Sequence, residues 1–164
     1  MATQTYRALA TTTLGSAASS VTFSSIPATY RDLVLVFQGT VTGSQGNNFL
    51  YFNGDTTGSN YSWIRMLGTG SSTASDTAPN DGSKPSVSDV APTTINQVII
   101  QIMDYSATDK HKTRLSRSDQ STSTVIAYAS RWANTNAVTS IEYSAGSGTN
   151  WSSGSTFSLY GIEA

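Results

Sequence analysis

The stretch Tyr30-Arg-Asp-Leu-Val-Leu-Val-Phe-Gln38 decides the fold. Five consecutive apolar residues, Leu33 to Phe37, include two β-branched valines and a phenylalanine, and polar or turn-forming residues bound them on both sides. A run this short and this β-branched predicts a strand covered on both faces, not a helix. Its counterpart is Gly154-Ser-Thr-Phe-Ser-Leu-Tyr-Gly-Ile162, in which Phe157, Leu159 and Gly161 alternate with Thr156, Ser158 and Tyr160. The two stretches are expected in one sheet, so that the C-terminal strand closes a core begun near the N-terminus.

Upstream, Tyr6 to Leu14 reads as an edge strand or N-terminal arm within residues 1–14, with Ala8, Ala10 and Thr12 on one face and Leu9 on the other. Val21 and Phe23 then alternate with Thr22 and Ser24 until Pro27 stops the strand. Downstream of a polar connection from Gly39 to Asn48, Phe49 to Phe52 is a short strand ended by the Asn53-Gly54 turn signal. Tyr61 to Leu67 has apolar bulk on both faces, Tyr61, Trp63 and Leu67 on one, Ile64 and Met66 on the other. From Gly68 to Pro92, 25 residues with almost no hydrophobic content predict a long loop insertion. Ile95 to Tyr105, with Val98, Ile100 and Ile102 in alternation, is the second strong strand, and the chain returns through Lys110 to Arg117. Thr124–Trp132, Val138–Tyr143 and Thr156–Ile162 bring the count to about ten strands. No segment has helical periodicity. These features predict one all-β domain over residues 1–164, an antiparallel β-sandwich, jelly-roll-like in plan.

Composition narrows the function. A chain of 164 residues can bury about two thirds of the surface its unfolded form exposes, so it needs neither metal nor disulfide to fold. Ser and Thr make up 51 residues and the charged types only 19, a surface wetted by hydroxyls. Without cysteine there is no thiolate chemistry and no Cys-based zinc site. A formal charge of −1 lacks the basic excess of a general nucleic-acid binder. No apolar run is long enough to span a bilayer, and the first residues lack the basic start and apolar core of a secretory signal, so an unprocessed, cytoplasmically made chain is expected, with no membrane or nucleic-acid partner.

The single histidine, His111, sits in Lys-His-Lys beside a turn, and no Gly-x-Ser-x-Gly elbow accompanies it, so a basic surface patch is the expected reading. The eight aspartates and two glutamates are dispersed. Asp76, Asn80 and Asp81 fail the spacing of a calcium loop and are expected to be solvated. Gly68-Thr-Gly70 and Gly146-Ser-Gly148 precede no helix and read as turns. Two features rise above this background. Lys110, Lys112 and Arg114 alternate along one strand, with Arg117 close by, either as a ladder for an acidic partner or as a charged edge that blocks strand pairing. Trp132, Trp151, Tyr61 and Tyr143 lie at turns and strand ends, where exposed rings could stack on sugar or anchor a protein, and where a core role is an equal alternative. No cofactor and no metal site is expected.

Three segments together resemble a family of small tailed-bacteriophage virion proteins, common in phages of aquatic bacteria including cyanobacteria: Ala10 to Pro27 with Tyr30 to Leu35, Ile102 to Thr113, and Gly154 to Ile162. The match covers most of the chain outside residues 68–92. The resemblance implies a structural β-sandwich located on the virion, a capsid decoration protein or a module of a fibre or tail, and brings no catalytic residue with it. The expectation is a non-enzymatic decoration or cement protein, a homotrimer on the outer shell whose partner is the major capsid protein or another virion protein. The alternative is a fibre module binding host glycan or receptor through Trp132, Trp151 or Tyr61.

Overall fold

Leu33, Leu35 and Phe37 are completely shielded from solvent, and their register explains why. They face Ile102, Ile100 and Val98 across one strand boundary and Gly161, Leu159 and Phe157 across the other. The computed structural model describes residues 5–44, 46–79, 84–120 and 124–163, with only the backbone of Gln120. Its strands are β1 (Tyr6–Thr13), β2 (Ser20–Phe23), β3 (Asp32–Gly39), β4 (Val41–Thr42), β5 (Gly46–Phe52), β6 (Tyr61–Gly68), β7 (Thr73–Ala78), β8 (Ser86–Val90), β9 (Asn96–Met103), β10 (Lys112–Gln120), β11 (Thr124–Trp132), β12 (Ile141–Ser144), β13 (Asn150–Trp151) and β14 (Thr156–Ile162).

An eight-stranded sheet in the order β1-β14-β3-β9-β10-β11-β6-β7 packs on a four-stranded sheet in the order β2-β12-β5-β8, and β13 pairs with β4 at one side. Every strand pairing is antiparallel. The only helical element among the described residues is the single 3₁₀ turn Gly58–Asn60. This is the all-β antiparallel sandwich that the sequence predicts, with β3 and β14 adjacent as expected. Period-2 alternation places one face of β14, β3, β9, β10 and β11 inside, opposite Val21, Phe23, Leu50, Phe52, Ile141 and Tyr143 of the smaller sheet. The strand count exceeds ten because two-residue pairs such as β4 and β13 leave no periodic trace in sequence.

Two expectations are corrected. Residues 68–92 are not one long loop, since they contain β7 and β8. β7 escapes a hydrophobic reading because it is an edge strand with mostly exposed side chains, and β8 because its polar residues are all buried against partners. The smaller sheet ends at β8, and hydroxyls of the large sheet meet its main chain there: Ser116 donates to the Val87 carbonyl and Ser130 to the Ser86 carbonyl, 3.4 Å away. Side chains thus satisfy backbone acceptors that a neighbouring strand would otherwise take. In β1 a register shift between Ala8 and Ala10 puts Ala8 on the same face as Thr11 and Thr13, not Thr12. The hydroxyls of Thr11 and Ser158 meet at 3.1 Å across that pair.

Candidate functional site

The basic alternation of the return strand is real, but it points inward. Lys112 and Arg114 have no solvent exposure, whereas Thr113, Leu115, Arg117 and Asp119 alternate outward. Lys110 lies before β10 and pairs with Asp104 at 3.4 Å, both half exposed. The exposed ladder is therefore corrected to one surface lysine and two buried cations. The inner surface accepts them because it offers carbonyl oxygens and ring faces. The Lys112 ammonium donates to the carbonyls of Lys110 (2.9 Å) and Thr135 (3.2 Å). The Arg114 guanidinium donates through Nη1 to the Leu50 carbonyl at 2.6 Å and lies 5.2 Å and 5.4 Å from the ring centres of Phe52 and Tyr61. Its Nε and Nη2 have no hydrogen-bond partner among the described residues. Burial lowers the pKa of Lys112, and pushes that of Arg114 down to about 10, against a small opposing pull from Tyr61.

The aromatic candidates are core residues. Trp132 is 1% exposed and Trp151 0%, and Tyr61 and Tyr143 are equally enclosed, so the stacking-platform reading is corrected for all four. Trp151 packs 4.7 Å from both Phe37 and Tyr143 while its Nε1 donates to the Tyr143 carbonyl at 3.1 Å. Trp132 Nε1 donates to Asp55 at 2.7 Å. Each indole meets its polar need inside the protein and offers no free face. Asp55 organises the turn from β5 to β6, where Asn53 and Gly54 both take positive φ (53° and 69°). It also accepts Asn60 Nδ2 and the Thr57 amide. Burial raises its carboxyl, but the hydrogen bonds from Trp132, Asn60 and Thr57 outweigh that and hold it below the ordinary value. Tyr61 donates to the Asp55 carbonyl at 2.9 Å and accepts the Phe52 amide, with burial pushing its hydroxyl up to about 12.

The remaining charges are used structurally. Asp89, on β8, accepts from Arg65 (3.0 Å) and the Tyr128 hydroxyl (2.9 Å). Burial raises its carboxyl, and those two donors restore only part of the difference. Arg65 also reaches Asp76 on β7 at 3.2 Å, so Asp76 is an ion-pair partner, while Asn80 and Asp81 lie outside the described residues. Among the described residues no group of three or more His, Asp or Glu could hold a metal ion. His111 is exposed and makes no hydrogen bond or ion pair there.

What the molecule presents outward is the far face of the large sheet. One cross-strand row reads Val34, Gln101, Leu115, Ala129, Ile64, and the next Val36, Ile99, Arg117, Ala127, Met66. Of the six large apolar side chains most exposed among the described residues, five lie on this face: Tyr6 (57%), Ile64 (53%), Met66 (56%), Leu115 (45%) and Val125 (68%). Scattered single exposures mean little, but five together on one face form a contiguous apolar patch. A shallow depression of about 380 Å³ between Val34, Ile99, Leu115 and Ala127 lies within it. The bulk of Ile64 and Met66 opposite Tyr61 and Trp63 was the sequence signal for this face.

Fold and face together define an antiparallel β-sandwich whose large sheet offers a largely apolar outer face and ends, among the described residues, in β1 and β7. No protein-family model matches the chain, and no curated protein does. The crystal structure of a protein of unknown function from Shewanella oneidensis MR-1 aligns over 100% of this chain and 78% of its own length, at 12% identity and a TM-score of 0.25.

Proposed function

We propose that this protein is a non-enzymatic structural component of a bacteriophage virion, of the capsid decoration type, that works by adding strands and surfaces to neighbouring shell proteins. The sequence resemblance supplies the particle, and one observation of the fold supports the mode of action: the large sheet ends in β1 and β7, each without a strand neighbour on its outer side among the described residues. Neither edge contains a lysine or proline, two of the devices by which edges are usually blunted, although β1 has its register shift and β7 has Asp76. A shell protein offering an extended segment would find main-chain donors and acceptors at either edge. Residues 2–4, which belong to the arm expected from the sequence, lie outside the described residues.

Reconstitution tests this reading. Purified protein is mixed with phage shells that lack it, and the shells are pelleted and heated. Saturable co-sedimentation with a raised shell melting temperature is expected. Protein left entirely in the supernatant, or its density found at the tail tip in particle reconstructions, overturns the decoration role. The glycan-binding alternative loses the residues it named, since Trp132, Trp151 and Tyr61 are enclosed in the core.

A further inference from the structure

We infer that the outer face of the large sheet is a self-complementary interface that pairs with a second copy of this chain, face to face, across a two-fold axis passing over Ser118. The inference is independent of where the protein sits on a particle. Arg117 stands on this face between Ile99 and Ala127 and makes no hydrogen bond or ion pair among the described residues. A lone guanidinium in an apolar surface calls for a carboxylate from whatever covers it. The same strand provides one two residues on, the exposed Asp119, of which one oxygen accepts the Gln97 amide at 2.6 Å. The two opposite charges lie on one face about 7 Å apart.

A two-fold axis lying in the interface, perpendicular to β10 and centred on Ser118, exchanges those positions. Arg117 of each copy then meets Asp119 of the other, giving two ion pairs. An axis parallel to the strand would instead set Arg117 on Arg117. Because the operation keeps each strand over its own copy, the neighbouring strands are tested by the same move. On β11, Ala127 comes over Val125 of the second copy, and on β6, Met66 comes over Gly68, from the registered pairs Arg117 with Ala127 with Met66 and Asp119 with Val125 with Gly68. On these two strands a larger side chain meets a smaller one, while on β9 Ile99 comes over Gln97 and on β3 Val36 over Gln38, an apolar side chain against the stem of an amide in each case. Two twisted sheets stack in this aligned way at about 30°. Over the described positions on both sides of the axis, Ser116 to Gln120 on β10, the overlap is about 13 Å along the strands and about 24 Å across β3 to β6, roughly 300 Å² of plane per copy. That is smaller than the interfaces of stable complexes, so a weak, concentration-dependent dimer follows.

Sedimentation equilibrium of the full chain over a range of concentrations tests this. A monomer–dimer equilibrium is expected, weakened by added salt. Arg117→Asp, which sets carboxylate on carboxylate, is expected to weaken dimerisation tenfold or more, and Arg117→Asp with Asp119→Arg to restore it. Met66→Lys, at a site exposed enough to leave folding unchanged by circular dichroism, is expected to give monomer. A monomer at all concentrations, a trimer, or a dimer indifferent to both Arg117→Asp and Met66→Lys overturns the inference. The shell-binding result above is read separately and stands or falls without it.

Discussion

Replacing Arg114 with methionine is expected to make the sandwich more stable. The guanidinium is fully buried and has one hydrogen bond to the Leu50 carbonyl, and among the described residues Nε and Nη2 find no hydrogen-bond partner and no carboxylate pairs with it. Burial pushes its pKa from 12.5 down to about 10, a drop that corresponds to about 3 kcal/mol of penalty on the charged form at neutral pH. Against this, methionine forfeits one hydrogen bond, about 1 kcal/mol, while its thioether keeps much of the contact with the Phe52 and Tyr61 rings. The net gain is about 1–2 kcal/mol, in the range seen when buried charges are replaced by hydrophobic residues of similar volume. For a chain of this size that raises Tm by about 2–8 °C. Urea and thermal denaturation followed by circular dichroism at pH 7 measure it. The pH dependence has a definite sign. A base whose folded pKa is depressed destabilises the fold below that pKa and ceases to do so as pH rises through it. The advantage of the variant is therefore constant up to about pH 9 and narrows above about pH 10. A variant less stable than the parent by more than about 1 kcal/mol, or a gap that widens toward alkaline pH, would refute the reasoning. Arg114→Ala is the control: it removes the stem as well, leaves a cavity and is expected to lose stability.

Three further outcomes follow from the core. A Cβ at Gly161 would lie 2.3 Å from Cγ of Tyr30, so Gly161→Ala is expected to cost about 1–3 kcal/mol, partly recovered with Tyr30→Ala in a double-mutant denaturation cycle. The Asp55 carboxyl is held below its ordinary pKa by its donors. Its contribution is thus present above the ordinary value and lost as pH falls through the folded one. Asp55→Asn is expected to lose about 1–2 kcal/mol at pH 7 and to flatten the acid limb of the stability profile below about pH 4. Trp151→Phe gives up the bond to the Tyr143 carbonyl and part of the packing against Phe37, and chemical denaturation is expected to show a loss of about 2–3 kcal/mol.

The strands that build the centre were legible because a single local signal specifies them. Leu33, Leu35 and Phe37, like Phe157 and Leu159, alternate or run together strongly enough to name a strand, and matching alternation named their neighbours. β10 shows where this stops. Its alternation of Lys112 and Arg114 was plain, but period 2 gives two faces without saying which is inside, and here a wall of carbonyls and rings made the charged face the inner one. Ser86-Val-Ser-Asp-Val90 read as loop because what buries it lies far along the chain: Ser116, Tyr128 and Ser130 on one side, Asn48 and Tyr143 on the other. Trp132 and Trp151 do stand at strand ends, yet adjacency to a turn says nothing about enclosure. The outward apolar face was half visible, in the double-sided bulk of Tyr61 to Leu67. Its extent needed the register of β9, β10, β11 and β6, which only the fold supplies.

β14 lies between β1 and β3, so the strand nearest the start of this sequence hydrogen-bonds to the one nearest its end, Tyr6 to Ile162 and Thr13 to Thr156. During synthesis β1 and one side of β3 wait without their partner until almost the whole domain has emerged. Closing so large a loop is entropically slow, which places refolding in the millisecond-to-second regime of sandwich proteins or slower. Until it closes, the chain exposes Leu33 to Phe37 as an unprotected sticky segment, and yield in a folding reaction should depend on dilution and temperature more than on time.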